Sequence, residues 1–200
     1  MSNIINPLQN LIDQATKIPP SGALEEYAQR INGNPSGCSI MLLDVSGSMG
    51  EITHEKRHID ILREALNRPL QPTEIAIAFN SSCHQLNSLQ SIPEPSGGTA
   101  LHLAIIEAAS LNPRHTLIVP DGIPDYKKQA LAAVKNLPGI ISTLFIGDDS
   151  DTDAIAFMSK LARVGCGKSA VCDIRKLENQ QNLKAAILSL LPPTKKIISC

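Results

Sequence analysis

Aromatic side chains are nearly missing from this chain: its 200 residues include no Trp, three Phe and two Tyr. Hydrophobic residues still make up 42%, so a core has to be built from Ile, Leu, Val and Ala, a bias that suits strands covered by helices on both faces. Runs of basic residues are also lacking and the net charge is -1. The electrostatic footprint of a nucleic-acid binder is therefore missing, and no nucleic-acid partner is expected. The five cysteines, Cys38, Cys83, Cys166, Cys172 and Cys200, are odd in number and contain no C-x₂-C pair. That argues against a disulfide framework and a zinc ribbon, leaving mostly buried thiols as the expectation. No stretch approaches the roughly 20 apolar residues of a membrane span. Met1 to Ala15 offers no basic start, long apolar core or small-residue cleavage site, so a cytoplasmic protein is expected.

The length suits one medium α/β domain, enough to bury roughly 70% of the surface of the unfolded chain. Residues 1–37 read as an N-terminal extension, with short helices over Pro7 to Thr16 and Ala23 to Asn32 and a turn at Asn34-Pro35-Ser36-Gly37. A regular alternation fills 38–191, and 192–200 is a tail. Ser39 to Val45 is a buried strand running into a Gly/Ser loop. His54 to Asn67 has Ile59, Leu62, Ala65 and Leu66 at helical spacing, and Pro69 stops it. Strands are expected at Glu74 to Phe79, Cys83 to Leu89 (short, returning beside it), His115 to Val119, Ile140 to Ile146 and Ser169 to Ile174. Helices are expected at Ala100 to Leu111, Tyr126 to Asn136, Thr152 to Val164, closed by Gly165 or Gly167, and Leu177 to Leu191. This order predicts a doubly wound, mostly parallel six-stranded sheet with helices on both faces and one short antiparallel edge strand. Ligands of such sheets bind at the carboxyl ends of the strands.

Three stretches fall at that edge: Asp44-Val45-Ser46-Gly47-Ser48, Gly97-Gly98-Thr99 and Asp121-Gly122. Every side chain they offer is an oxygen donor. Carboxylates and hydroxyls suit a hard cation such as Mg²⁺, with Mn²⁺ or Ca²⁺ as alternatives, while the lack of His and Cys disfavours zinc and copper. Residues 44, 46 and 48 leave the strand on alternating positions, and Gly47 lets the loop curl so that two hydroxyls converge beside a carboxylate. Asp44 and Asp121 balance a divalent charge. Three neutral hydroxyls, of Ser46, Ser48 and Thr99, leave the ion wanting one more anionic oxygen.

With these motifs the chain resembles the von Willebrand factor A-type domain, whose metal-ion-dependent adhesion site has the form D-x-S-x-S, a distant Thr and a distant Asp. Asp44-Val-Ser46-Gly-Ser48-Met-Gly matches the first element, Ser96-Gly-Gly-Thr99-Ala-Leu the threonine loop, and Pro120-Asp121-Gly-Ile-Pro-Asp125 the aspartate loop. The resemblance covers about residues 38 to 191. It implies that Ser46, Ser48 and Thr99 touch the metal directly, that Asp44 and Asp121 act partly through water, and that a partner protein supplies a Glu or Asp to the remaining position. It further implies a non-enzymatic interaction module, in a family that usually couples the ligand to a shift of the last helix. Intracellular bacterial members of that family often act beside AAA+ ATPases. Pro120 departs from the Ser or Thr more common there, a position that gives no side-chain oxygen to the site.

Other readings compete for the same residues. Asp44 and Asp121 are also where helix-capping acids belong, and Thr99 sits where an N-cap would. The acidic run Asp148 to Asp153 reads as a helix N-terminus favoured by its dipole rather than a second cation site. Met49 and Ile123-Pro124 face a partner or pack inside. His54-Glu55-Lys56-Arg57-His58 matches H-E-x-x-H, in which two His one helical turn apart bind zinc and the Glu activates water. The middle pair is charged where a buried zinc helix would be apolar, and Glu64 is the only nearby third ligand. A haloacid-dehalogenase-like phosphatase would use Asp44 as nucleophile, but needs an Asp where Ser46 stands. No glycine-rich nucleotide fingerprint follows the first strand, so the fold is no evidence for NAD.

Overall fold

The first apolar run, Ser39–Asp44, is strand β1, and all six of its residues are buried. A run buried on both faces belongs in the middle of a sheet. In the structure, a computed structural model that describes residues 37–191, β1 lies between β4 (Glu74–Phe79) and β6 (His115–Val119), parallel to both. The expected helices within 1–36, the turn at 34–37 apart from Gly37, and the tail 192–200 lie outside the described residues. A short hairpin of β2 (Ile52–Thr53) and β3 (Lys56–Arg57) precedes helix α1 (His58–Ala65). The antiparallel edge strand β5 (Cys83–Leu86) pairs with β4. Then come α2 (Leu101–Ser110), β6, α3 (Lys127–Asn136), β7 (Ile140–Ile146), α4 (Thr152–Val164), β8 (Cys166–Cys172) and α5 (Leu177–Leu190).

The strand order is β5-β4-β1-β6-β7-β8, which makes this a mostly parallel, Rossmann-like α/β sheet with one antiparallel strand. Side chains alternate across β1. Met41 and Leu43, followed by Val45, join the core made with Ile59 and Leu62 of α1 and Leu183 and Ile187 of α5. Ile40 and Leu42 join the opposite core, made with Leu101 and Ile105 of α2, Val134 of α3 and Met158 and Leu161 of α4. Because the chain leaves β1 towards β4 but returns to β6 on its other side, the loops after β1 and β6 part at the carboxyl edge. That switch point opens a crevice.

Most boundaries fall within a residue or two of expectation; three differ. The helix expected from His54 begins only at His58. His54 and Glu55 have φ of 48° and 66°, left-handed values that no helix tolerates, and they form the two-residue corner of the β2–β3 hairpin. Apolar periodicity starts at Ile59, so nothing buried pulls 54–57 into helix. The return strand stops at Leu86, and Leu89–Ser91 is a 3₁₀ turn. The last strand runs over Cys166–Cys172 rather than Ser169 to Ile174: Gly165 closes α4 and the chain turns straight into β8, leaving Gly167 inside the strand. Of the described cysteines only Cys172 is buried; Cys38, Cys83 and Cys166 are half-buried.

Candidate functional site

Asp44 is the last residue of β1, and its side chain is shut off from solvent. The chain turns sharply after it: the Ser46 N–H donates to Asp44 Oδ1 at 2.8 Å, and Gly47–Gly50 form a 3₁₀ turn. This turn sets Ser46 Oγ 3.0 Å from Ser48 Oγ. The Ser48 hydroxyl donates to Asp121 Oδ1 at 2.7 Å across the switch-point crevice. Asp121 follows β6, so this contact joins the loops of two neighbouring parallel strands.

The threonine loop is stitched to both. The Gly47 N–H donates to the Gly97 carbonyl at 3.0 Å and the Ser96 N–H to the Val45 carbonyl at 2.9 Å. On the other side the Thr99 N–H donates to Asp125 Oδ2 at 2.8 Å, and the Asp125 N–H returns to the Thr99 carbonyl at 3.1 Å. Glycine is required here. Gly97 has φ of +72°, and a Cβ on Gly98 would lie 2.4 Å from Asp125 Oδ2, so any side chain would expel the carboxylate that holds Thr99. The structure thus joins Asp44, Ser46, Ser48 and Asp121 in one hydrogen-bonded row; the Thr99 backbone is held by Asp125, and its loop is tied to the loop after β1 through Ser96 and Gly97.

The electrostatics of the row are unbalanced. Burial, and then the nearby charge of Asp121, push the Asp44 carboxyl up to about 7, with hydrogen bonds from Ser46 and from the Asp121 backbone offsetting only part of the rise. Its Oδ2 is buried without a hydrogen-bond partner. A buried carboxylate oxygen with no partner, beside a second buried carboxylate, is costly, and a divalent cation removes that cost. The donor set of two carboxylates and three hydroxyls fits a hard cation. Among the described residues no group of three or more His, Cys, Asp and Glu side chains comes together to hold a metal.

Two neighbours have roles beside the row that the motifs do not reveal. Asp121 Oδ2 faces His58 Nδ1 at 3.3 Å, and His58 Nε2 lies 3.1 Å from Thr53 Oγ1. Asp125 holds Thr99; its one signal was its place in the third motif. Met49 is packed in the core rather than offered to a partner, and Ile123 is half-buried against the core that contains Leu101 and Ile105.

The H-E-x-x-H residues are dispersed. His54 sits at the hairpin corner with its Nε2–H on the Arg175 carbonyl, His58 heads α1, and Glu64 is taken by Lys56 at 2.7 Å. The two histidines do not share a helix face, because the left-handed corner intervenes. In the acidic run, Asp151 caps α4, accepting from the Ala154 N–H at 3.0 Å. Asp148 and Asp149 pair with Arg175 and Lys176. A cleft of about 280 Å³ opens beside Asp121, lined also by Glu51, Thr53, His58, Asp148 and Arg175. Among the described residues no helix is long and apolar enough to cross a membrane. No protein-family model matches the chain, and no curated protein matches it.

Proposed function

We propose that this protein is a metal-dependent interaction module: a divalent cation, Mg²⁺ before Mn²⁺ or Ca²⁺, is held by Asp44, Ser46, Ser48, Thr99 and Asp121, and an acidic side chain of a partner protein completes its coordination. The observation that carries this reading is the buried Asp44 oxygen with no partner, set beside Asp121 in a row of hydroxyls. When bound, the ion supplies positive charge to a site that holds only negative and neutral oxygens. The chain's own part is positional. In this reading the 3₁₀ turn would aim the two serines at the ion, and the Gly97-Gly98 loop, tied to Gly47, would bring Thr99 to the same side.

The likeness of the three motifs to the von Willebrand factor A-type adhesion site supports the same reading. On that likeness alone rest a bacterial setting and a partner within an AAA+ ATPase complex. No residue is assigned a catalytic role.

Thermal unfolding of metal-stripped protein, titrated with Mg²⁺, Mn²⁺ and Zn²⁺, tests the reading, because a ligand that binds only the folded state raises its midpoint. Mg²⁺ or Mn²⁺ should raise the wild-type midpoint and leave Asp44→Ala and Ser46→Ala unmoved, while Glu55→Ala responds like wild type. A shift by Zn²⁺ alone, equal in wild type and Asp44→Ala, would overturn it.

A further inference from the structure

We propose that His58 is the positioning residue of the site: its Nδ1–H holds the Asp121 carboxylate in the orientation that metal binding needs, and Thr53 fixes the tautomer that makes this contact. The inference rests on the metal-binding reading above and concerns the residue behind the metal ligand, not the ligand itself.

The Asp121 side chain is only 1% exposed, and both of its oxygens are engaged. Oδ1 accepts from the Ser48 hydroxyl at 2.7 Å, and Oδ2 faces His58 Nδ1 at 3.3 Å. A carboxylate held at one oxygen pivots about that contact; held at both, it has one orientation. Buried ligands of metal sites are commonly fixed by such outer partners. The tautomer follows from chemistry. A neutral imidazole carries one N–H and one bare nitrogen. With the proton on Nε2, the lone pair of Nδ1 would face carboxylate lone pairs. With it on Nδ1, the ring donates to Asp121, and the bare Nε2 accepts from the Thr53 hydroxyl 3.1 Å away. The second arrangement satisfies every group.

The fold places the ring for this role. His58 is the first residue of α1, and its own N–H donates to the Glu51 carbonyl at 3.0 Å. The hairpin pairing of Ile52 with Arg57 and Thr53 with Lys56 brings Thr53 back against the residue that follows β3. The left-handed corner at His54 and Glu55 makes that return possible, which gives the corner a purpose beyond connecting two strands.

The test separates the two nitrogens. Asn carries an amide N–H near the position of histidine Nδ1, Gln one near Nε2, and Phe keeps the ring without either. Mg²⁺ dissociation constants of the full chain are measured by calorimetry for wild type, His58→Phe, His58→Gln, His58→Asn and Asp121→Asn, with metal-free melting temperatures alongside. His58→Phe and His58→Gln should weaken Mg²⁺ binding about 10- to 100-fold, and His58→Asn should recover most of it. Ring ¹⁵N chemical shifts of metal-free wild type at pH 8 should report the Nδ1–H tautomer, and Thr53→Val should mix the two. Wild-type Mg²⁺ affinity in His58→Phe, equal loss in the Asn and Phe variants, or an Nε2–H tautomer overturns the role of His58 while leaving the metal site standing. Failure of Mg²⁺ to bind wild type, or undiminished binding in Asp121→Asn, overturns both.

Discussion

At the ends of β7 and β8, Asp148, Asp149 and Asp173 meet Arg175 and Lys176. At the ends of β1 and β6, Asp44 and Asp121 meet Ser46, Ser48 and His58. Both clusters sit on the carboxyl edge of one sheet, and both contain a nearly inaccessible Asp. Hydrogen bonding from the Arg175 guanidinium holds Asp173 down to about 2, whereas burial and a neighbouring acid hold Asp44 up to about 7. The first cluster carries its own cations; the second, under the proposed function, leaves the charge of its carboxylates to a bound ion. An acidic residue at a strand end is therefore no sign of a metal site by itself. What distinguishes the two places is whether the protein has already answered the charge.

The sharpest way to break this comparison is to supply a cation to both clusters. Mg²⁺ at a hundred times its dissociation constant should stabilise the wild type by about 2.7 kcal/mol, and Asp44→Asn by nothing, measured as a change in denaturant midpoint. Without metal the same Asp44→Asn variant should unfold at or above the wild-type midpoint, since it removes a buried charge that has no counter-charge. Asp173→Asn should do the reverse: a loss of about 2 kcal/mol with or without Mg²⁺, because it breaks hydrogen bonds between charged groups. Acid titration sharpens the contrast. The folded pKa of Asp173 lies below its unfolded value, so its stabilisation is present above about pH 4 and is lost as pH falls towards about 2. Asp173→Asn should flatten that limb of the stability profile. The smallest effect belongs to the exposed Lys56–Glu64 pair, with side chains 46% and 62% exposed. Glu64→Ala should change stability by less than about 0.5 kcal/mol and leave the Mg²⁺ response intact.

The sheet was legible because its signals are local. Ser39 to Asp44 and His115 to Val119 are short apolar runs ending in Gly or Pro loops, and their alternation with helical periodicity dictates a parallel arrangement. Of the site, the row Asp44, Ser46, Ser48 and Asp121 was legible in the same way, each residue ending or closely following a recognisable strand. The hairpin at 52–57 was not. A two-residue corner normally announces itself with Asn-Gly or Gly, and here His54 and Glu55 do that work in conformations costly for them. Once the corner is missed, His54 and His58 appear one helical turn apart and suggest a zinc motif that the backbone does not form. The contacts of His58 with Asp121 and of Arg175 with Asp148 were illegible for a different reason. They join residues far apart in sequence, and neither partner's local pattern points to the other. Reading Asp148 to Asp153 as a helix N-terminus was right for Asp151 and Asp153, but Asp148 and Asp149 answer to a loop beyond β8.

The 73 residues that separate Ser48 from Asp121 also set an order of events during synthesis. A nascent chain that has exposed β1, β4 and α2 already carries Asp44, Ser46, Ser48 and Thr99, yet it has only one of the two carboxylates. Until β6 is added and docks against β1, an ion has nothing opposite the serines to close on. Under the proposed function, a cation cannot nucleate this fold. It can only hold the central strands together once they have met, so metal scarcity would shorten the lifetime of finished molecules without slowing their formation.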